Sequence, residues 1–155
     1  MSLLVLDMSA LASWLLPSQA TATADALFAN WREFQFTAPQ VFEIELRALM
    51  VKAERRAWFT ALQAEEALRS VDLLEIDIRS PLPPSDLDMV LLLARKAGLN
   101  FYDALYLYLA ITERAALASR DCDLLNVARR AGLTVHDLRS TPGIHEEAVS
   151  TYVHL

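Results

Sequence analysis

Short apolar runs alternate along the chain with longer stretches in which apolar residues recur at helical spacing. Leu3–Leu6, Phe34–Thr37, Leu73–Ile78, Ala116–Ser119 and Leu133–Val135 are candidate strands, each brief enough to be a buried parallel strand. The intervening periodicity predicts helices over Ser9–Leu16, Ala20–Glu33, Pro39–Glu54, Arg56–Ser70, Ser85–Ala97, Tyr102–Arg114 and Cys122–Ala131. Pro39 suits a first helical turn, where no N–H is lost. Gly98 and Gly132 suit left-handed helix ends, and Pro81, Pro83 and Pro84 stiffen the approach to a helix beginning at Pro84 or Ser85. The alternation predicts a three-layer α/β fold. One domain is expected over residues 1–140, followed by a tail at 141–155 whose pattern suits a short helix or strand or a mobile end.

Composition sharpens this picture. With 155 residues, 54% of them apolar and 22% charged, the chain can bury a core without disulfides or a structural metal. Its single cysteine, Cys122, has no internal partner. No leader pattern opens the sequence, and no run reaches the roughly 20 uncharged apolar residues of a membrane span, so a cytoplasmic protein with no membrane partner is expected. A net charge of −6 speaks against a nucleic-acid binder, because phosphate contacts rest on Lys and Arg. That objection weakens if part of the excess is a cluster of carboxylates neutralised by a bound cation.

Four acids stand out by position. Asp7 closes the first apolar run and Asp121 follows the fourth, and open α/β sheets place ligands just beyond the carboxyl ends of their strands. Glu45 has apolar neighbours four residues away on either side, Val41 and Leu49, where a solvated glutamate does not belong. Glu43 is its rival. Asp103 opens a helix above Tyr106 and Leu107, again over an apolar face. Gathered carboxylates repel one another and are tolerated chiefly beside a divalent cation. Oxygen ligands select Mg²⁺, with Mn²⁺ as a substitute, and there is neither a cysteine pair nor a close histidine pair for zinc. Each acid also has a structural explanation. Asp7 and Asp121 suit helix N-caps, Asp103 suits a first helical turn, and Glu45 can pair with Arg47, Arg55 or Arg56.

The segments VLDMSAL, TAPQVFEIELRAL, LNFYDALYLYLA and LASRDCDLL resemble, in order and spacing, the four motifs of the PIN domain family, most closely its small VapC-type members, the toxin halves of toxin–antitoxin pairs. The resemblance spans about residues 3–138. It implies a Rossmann-like fold with a central parallel sheet ordered 3-2-1-4-5 and a Mg²⁺-dependent ribonuclease site at its edge. It places the family acids on Asp7, Glu45, Asp103 and Asp121, with hydroxyl support from Ser9 and Ser119, and leaves Asp123 as a helper to Asp121. Tyr108, where the family usually carries a small residue, and Arg120 and Cys122, flanking the fourth acid, depart from the pattern. The implied partners are RNA, a second copy of the chain and a small antitoxin.

The chemistry expected is hydrolysis of RNA phosphodiesters by metal-activated water. No histidine is required, and His136, His145 and His154 lie apart from every acidic motif. Arg47, Lys52, Arg55, Arg56, Arg95 and Lys96 are candidate phosphate contacts, or a solvated helix face. Trp14, Trp31, Trp58 and Phe59 suit packing, with Trp58 and Phe59 as candidates for partner contact. A haloacid-dehalogenase-like phosphatase fits less well, because the second aspartate it needs is replaced by Ser9, and a receiver-type phosphoacceptor lacks its early acidic pair and late lysine. The non-enzymatic alternative is a metal-binding interaction module of the same fold.

Overall fold

A computed structural model of the chain describes residues 1–139, so the expected tail at 141–155, with His145 and His154, lies outside the described residues. Five parallel strands form one sheet in the order β3-β2-β1-β4-β5: β1 (Ser2–Leu6), β2 (Phe34–Ala38), β3 (Asp77–Ile78), β4 (Ala116–Ser119) and β5 (Val135–Asp137). Seven helices connect them: α1 (Met8–Leu15), α2 (Ala22–Ala29), α3 (Val41–Arg55), α4 (Ala61–Asp72), α5 (Pro84–Ala97), α6 (Phe101–Glu113) and α7 (Cys122–Arg130). Among the described residues α1 packs on α2 and α3, α3 on α4, α5 on α6, and α6 on α7. The α/β fold and strand order expected from the sequence are the ones observed.

The middle of the sheet explains the unbroken apolar runs. Leu4, Val5 and Leu6 of β1 are all fully buried, as are Leu117 and Ala118 of β4, because layers of helix cover both faces. Register is direct, with Val5 opposite Leu117 and Leu6 opposite Ala118, so the residues following β1 and β4 emerge together at one edge. Asp7 N–H donates to the Ala118 carbonyl at 3.1 Å and extends that pairing by one residue. Among the described residues, no helix is long and apolar enough to cross a membrane.

Element boundaries depart from the periodicity where helix ends consume apolar residues. The expected strand Leu73–Ile78 shrinks to two residues, because Leu74 and Glu75 N–H groups turn back to Val71 and Asp72 and Glu75 is left-handed at φ 50°. The fifth strand begins at Val135 and not Leu133: Leu133 N–H bonds the Ala128 carbonyl and Gly132, at φ 80°, closes α7 in a Schellman end. Residues 56–59 do not open a helix either. Ala57 is left-handed and Trp58 N–H returns to Ala53, ending α3, while α4 starts after a capping box between Thr60 and Gln63. The stretch Ala20–Glu33 divides into α2, capped by Thr21, and a short 3-10 turn at Trp31–Glu33. Pro39 lies just ahead of α3, its carbonyl accepting from Phe42 N–H.

The aromatic residues largely pack. Trp14 stacks on Phe28 at 4.8 Å, Trp31 lies against the core beneath Arg32, and Phe59 is half-buried, while Trp58 is exposed with Lys52 and Arg56 over its ring. Tyr108 ties α6 to the start of α5 through a 3.0 Å bond to Asp86. Leu117, fully buried at the centre of β4, is a sensitive test of this core. Leu117→Ala should cost about 2–5 kcal/mol of unfolding free energy, read as a lower urea midpoint at unchanged slope; a change within error would contradict the central placement of β4.

Candidate functional site

Each of the four acids is carried to the carboxyl edge of the sheet by a different local device. Asp7 follows β1 and is 4% exposed; Asp121 follows β4 and caps α7, its Oδ1 accepting from Leu124 N–H at 2.8 Å. The capping explanation therefore holds for Asp121 and fails for Asp7, which precedes α1 without any side-chain cap bond. Asp103 stands in the first turn of α6, where Asn100 both accepts from its N–H at 2.8 Å and donates to its Oδ2 at 2.9 Å. Glu45 lies one turn into α3 and accepts from the buried Tyr106 hydroxyl at 2.8 Å.

Two hydroxyls fix the orientation of Asp7. Ser9 Oγ and Ser119 Oγ donate to the same Oδ2 at 2.6 and 2.7 Å, and the two oxygens stand 3.1 Å apart. Each hydroxyl has one proton, already given to Asp7, so each is free to accept a backbone N–H: Ser9 from Arg120 and Ser119 from Asp121, both at 2.9 Å. The network joins the end of β4 to the start of α1 through the carboxylate.

Electrostatically the acids form one group. Burial raises the Asp7 carboxyl above its ordinary range, against the lowering effect of the two serines, and Asp121 adds repulsion. Burial likewise raises Glu45, partly offset by Tyr106 and reinforced by Asp7. Asp103 is pushed up to about 6 by burial and by repulsion from Asp7, Asp121 and Glu45. Burial and the neighbouring Glu45 carboxylate drive the Tyr106 phenol far above its usual range, so it stays a donor. No ion pair among the described residues involves any of the four acids; the arginines there pair instead with Glu43, Asp77, Glu113 and Asp137.

The donor chemistry fits a hard divalent cation, being all carboxylate oxygen with no protein cation in competition. The spacing is looser than a formed ligand cage: among the described residues no three His, Cys, Asp or Glu side chains stand close enough to hold one ion.

Glu43 is occupied by an ion pair with Arg47 across one helical turn, so both are less available for the roles considered from sequence. Asp123 is exposed on the first turn of α7. His136 packs edge-on against Phe34 at 5.5 Å, and burial lowers its pKa, as for a structural imidazole. Sequence reasoning missed Tyr106 and Asn100 as supports. A tyrosine on the core stripe of α6 implies a buried hydroxyl in need of a partner, and Asn100 with Asp103 has capping-box spacing.

Comparison with known proteins agrees with this architecture. A sequence profile of the PIN domain matches residues 4–130. The crystal structure of PAE2754 from Pyrobaculum aerophilum is similar at TM-score 0.58 and 20% identity, over 99% of this chain and 97% of that one. VapBC2 from Rickettsia felis, in a crystal structure bound to a DNA fragment from its promoter, is similar at TM-score 0.59 and 15% identity, over 87% of this chain and 98% of that one. At these identities the two structures support the fold. No curated protein matches significantly.

The raised acids set a pH dependence. Asp103 holds its proton more tightly folded, at about 6, than at its ordinary 3.8, so its contribution to stability is fully present below 3.8 and lost as pH rises through about 6. Carboxyl NMR of the metal-free protein should place its midpoint near 6, and Asp103→Asn should flatten the stability profile across that window. A midpoint at or below 3.8 would contradict both the burial of Asp103 and its repulsion by the other acids.

Proposed function

The chain belongs to the PIN domain family, and from that premise we propose that it is a Mg²⁺-dependent endoribonuclease, the toxin half of a type II toxin–antitoxin pair. One observation carries the proposal: acids from four separate elements gather at the carboxyl edge of β1 and β4, repel one another there, and take part in no ion pair among the described residues. PIN domains are generally nucleases, which fits such a site. The similarity to a VapBC complex favours the toxin assignment, with a small antitoxin and a second copy of the chain as partners. The nuclease domain is assigned to residues 1–140.

Asp7, Glu45, Asp103 and Asp121 are the residues that would hold the metal, with Mn²⁺ as a substitute. When bound, Mg²⁺ activates water and offsets negative charge on the phosphodiester. The remaining work belongs to the chain. Ser9 and Ser119 fix the Asp7 carboxylate, Tyr106 fixes Glu45, and Asn100 fixes Asp103, so three of the four acids are oriented before any ligand arrives. Asp121 is held by its capping bond. Asp123, exposed beside it, would act as a helper to Asp121.

Incubation of the purified protein with total RNA and Mg²⁺, followed by mapping of new ends, tests the assignment. Asp7→Asn should keep the fold and lose cleavage by more than about 100-fold, the upper range for loss of a mere supporting partner. Undiminished cleavage would sink the proposal. Mn²⁺ binding by calorimetry without cleavage of any RNA would point instead to a non-catalytic metal-binding module.

A further inference from the structure

Arg120 lies between two members of the site, Ser119 and Asp121, and its own backbone N–H donates to Ser9 Oγ. Its side chain crosses the carboxyl edge of the sheet to the 3-10 turn Pro17–Gln19, where Nη1 donates to Gln19 Oε1 at 3.1 Å. That turn stays at the same edge, because Thr21, two residues on, donates its hydroxyl to the Leu138 carbonyl just past β5. The guanidinium therefore lies at the carboxyl edge of the sheet that also carries the four acids, on the β4–β5 side.

Its bonding is incomplete. Arg120 is half-buried, its Nε is enclosed without an acceptor among the described residues, and none of the ion pairs there includes it. Arg79 also has an unpartnered Nε, yet it pairs with Asp77 and Glu113; Arg139 pairs with Asp137. A half-buried arginine held only by a neutral amide is a poor structural device, since a guanidinium removed from water is ordinarily satisfied by an anion. Four carboxylates lie at the same edge, and Gln19 holds the guanidinium without neutralising any of them. The acids stay available to a cation and the guanidinium to an anion.

We propose that Arg120 is a substrate-binding residue that receives a phosphate of the RNA backbone at the edge that carries the four acids, held ready by Gln19. The proposal rests on the nuclease assignment above. Guanidinium matches phosphate oxygens in a fork of parallel donors, which a lysine cannot reproduce. It also answers the electrostatic difficulty of the site, because a cleft of carboxylates repels a polyanion wherever no local cation receives it.

Steady-state cleavage of an RNA oligonucleotide, carrying a site mapped from total RNA, tests this with Arg120→Gln and Arg120→Lys. Arg120→Gln should raise KM about tenfold or more, with a smaller change in kcat, as expected for loss of a charged hydrogen bond to substrate. The slope of log KM against log KCl concentration should fall by about 0.7, one phosphate contact on a single strand. Arg120→Lys should keep the slope and recover part of KM. Mn²⁺ affinity by calorimetry and the thermal midpoint should stay at wild-type values in both. Unchanged KM and slope in Arg120→Gln would overturn the assignment, as would a fall in Mn²⁺ affinity or failure of both variants to fold, which place Arg120 in the scaffold. Wild-type protein that cleaves no RNA overturns the nuclease assignment and this one with it; cleavage by wild type that Arg120→Gln leaves unaltered overturns this one alone.

Discussion

A carboxylate almost wholly removed from water, Asp7, stands at the end of the central strand with no cation of the protein beside it. Burying a charge unpaired is among the more costly things a fold can do, and here the cost is only partly offset by two serine hydroxyls. The surrounding architecture follows from holding that group in place. Pairing of β1 with β4 brings Ser119 to it, the first turn of α1 brings Ser9, and the same two hydroxyls tie down the backbone that presents Arg120 and Asp121.

The other three acids extend the same tension. Each is oriented by a neutral partner and none by a counter-charge: Tyr106 for Glu45, Asn100 for Asp103 and the α7 N-terminus for Asp121. Neutral partners fix direction while leaving charge uncompensated, which is what a cation-binding site needs and a purely structural site avoids. The contrast lies nearby, where Asp137 is held well below the carboxylate range, at about 2, by hydrogen bonds and attraction from Arg139 and Arg129. Asp137, at the end of β5, is thus held by arginines, whereas the four acids around β1 and β4 take part in no ion pair among the described residues. Arg120, unpaired beside that set, is the corresponding cation.

The overall acidity of the chain also changes meaning. Its net charge of −6 includes these carboxylates, and a cation bound among them would offset part of it. Among the described residues the four acids stand too far apart to form a cage unaided.

Much of this was legible in the order of residues. Short apolar runs marked β1 and β4 because a strand covered on both faces has no polar side to show, and a carboxylate one or two residues beyond such a run marked Asp7 and Asp121. Helical spacing preferred Glu45 over Glu43, and the structure gives the reason in the Arg47 pair. What periodicity could not decide was where apolar residues serve helix termini: Leu73, Leu133 and Trp58 look like parts of strands or helices but close turns, because backbone groups at helix ends must find partners whatever the side chain. Nor could spacing reveal which hydroxyl or amide meets which acid. Ser119 and Asp7 are joined across 112 positions and Tyr106 and Glu45 across 61, contacts that exist only once the crossovers have folded. The sequence by itself determined the kinds of groups and the edge at which the strands deliver them; the tertiary structure alone decided which charges were paired and which left bare, since pairing depends on distances that no local pattern encodes.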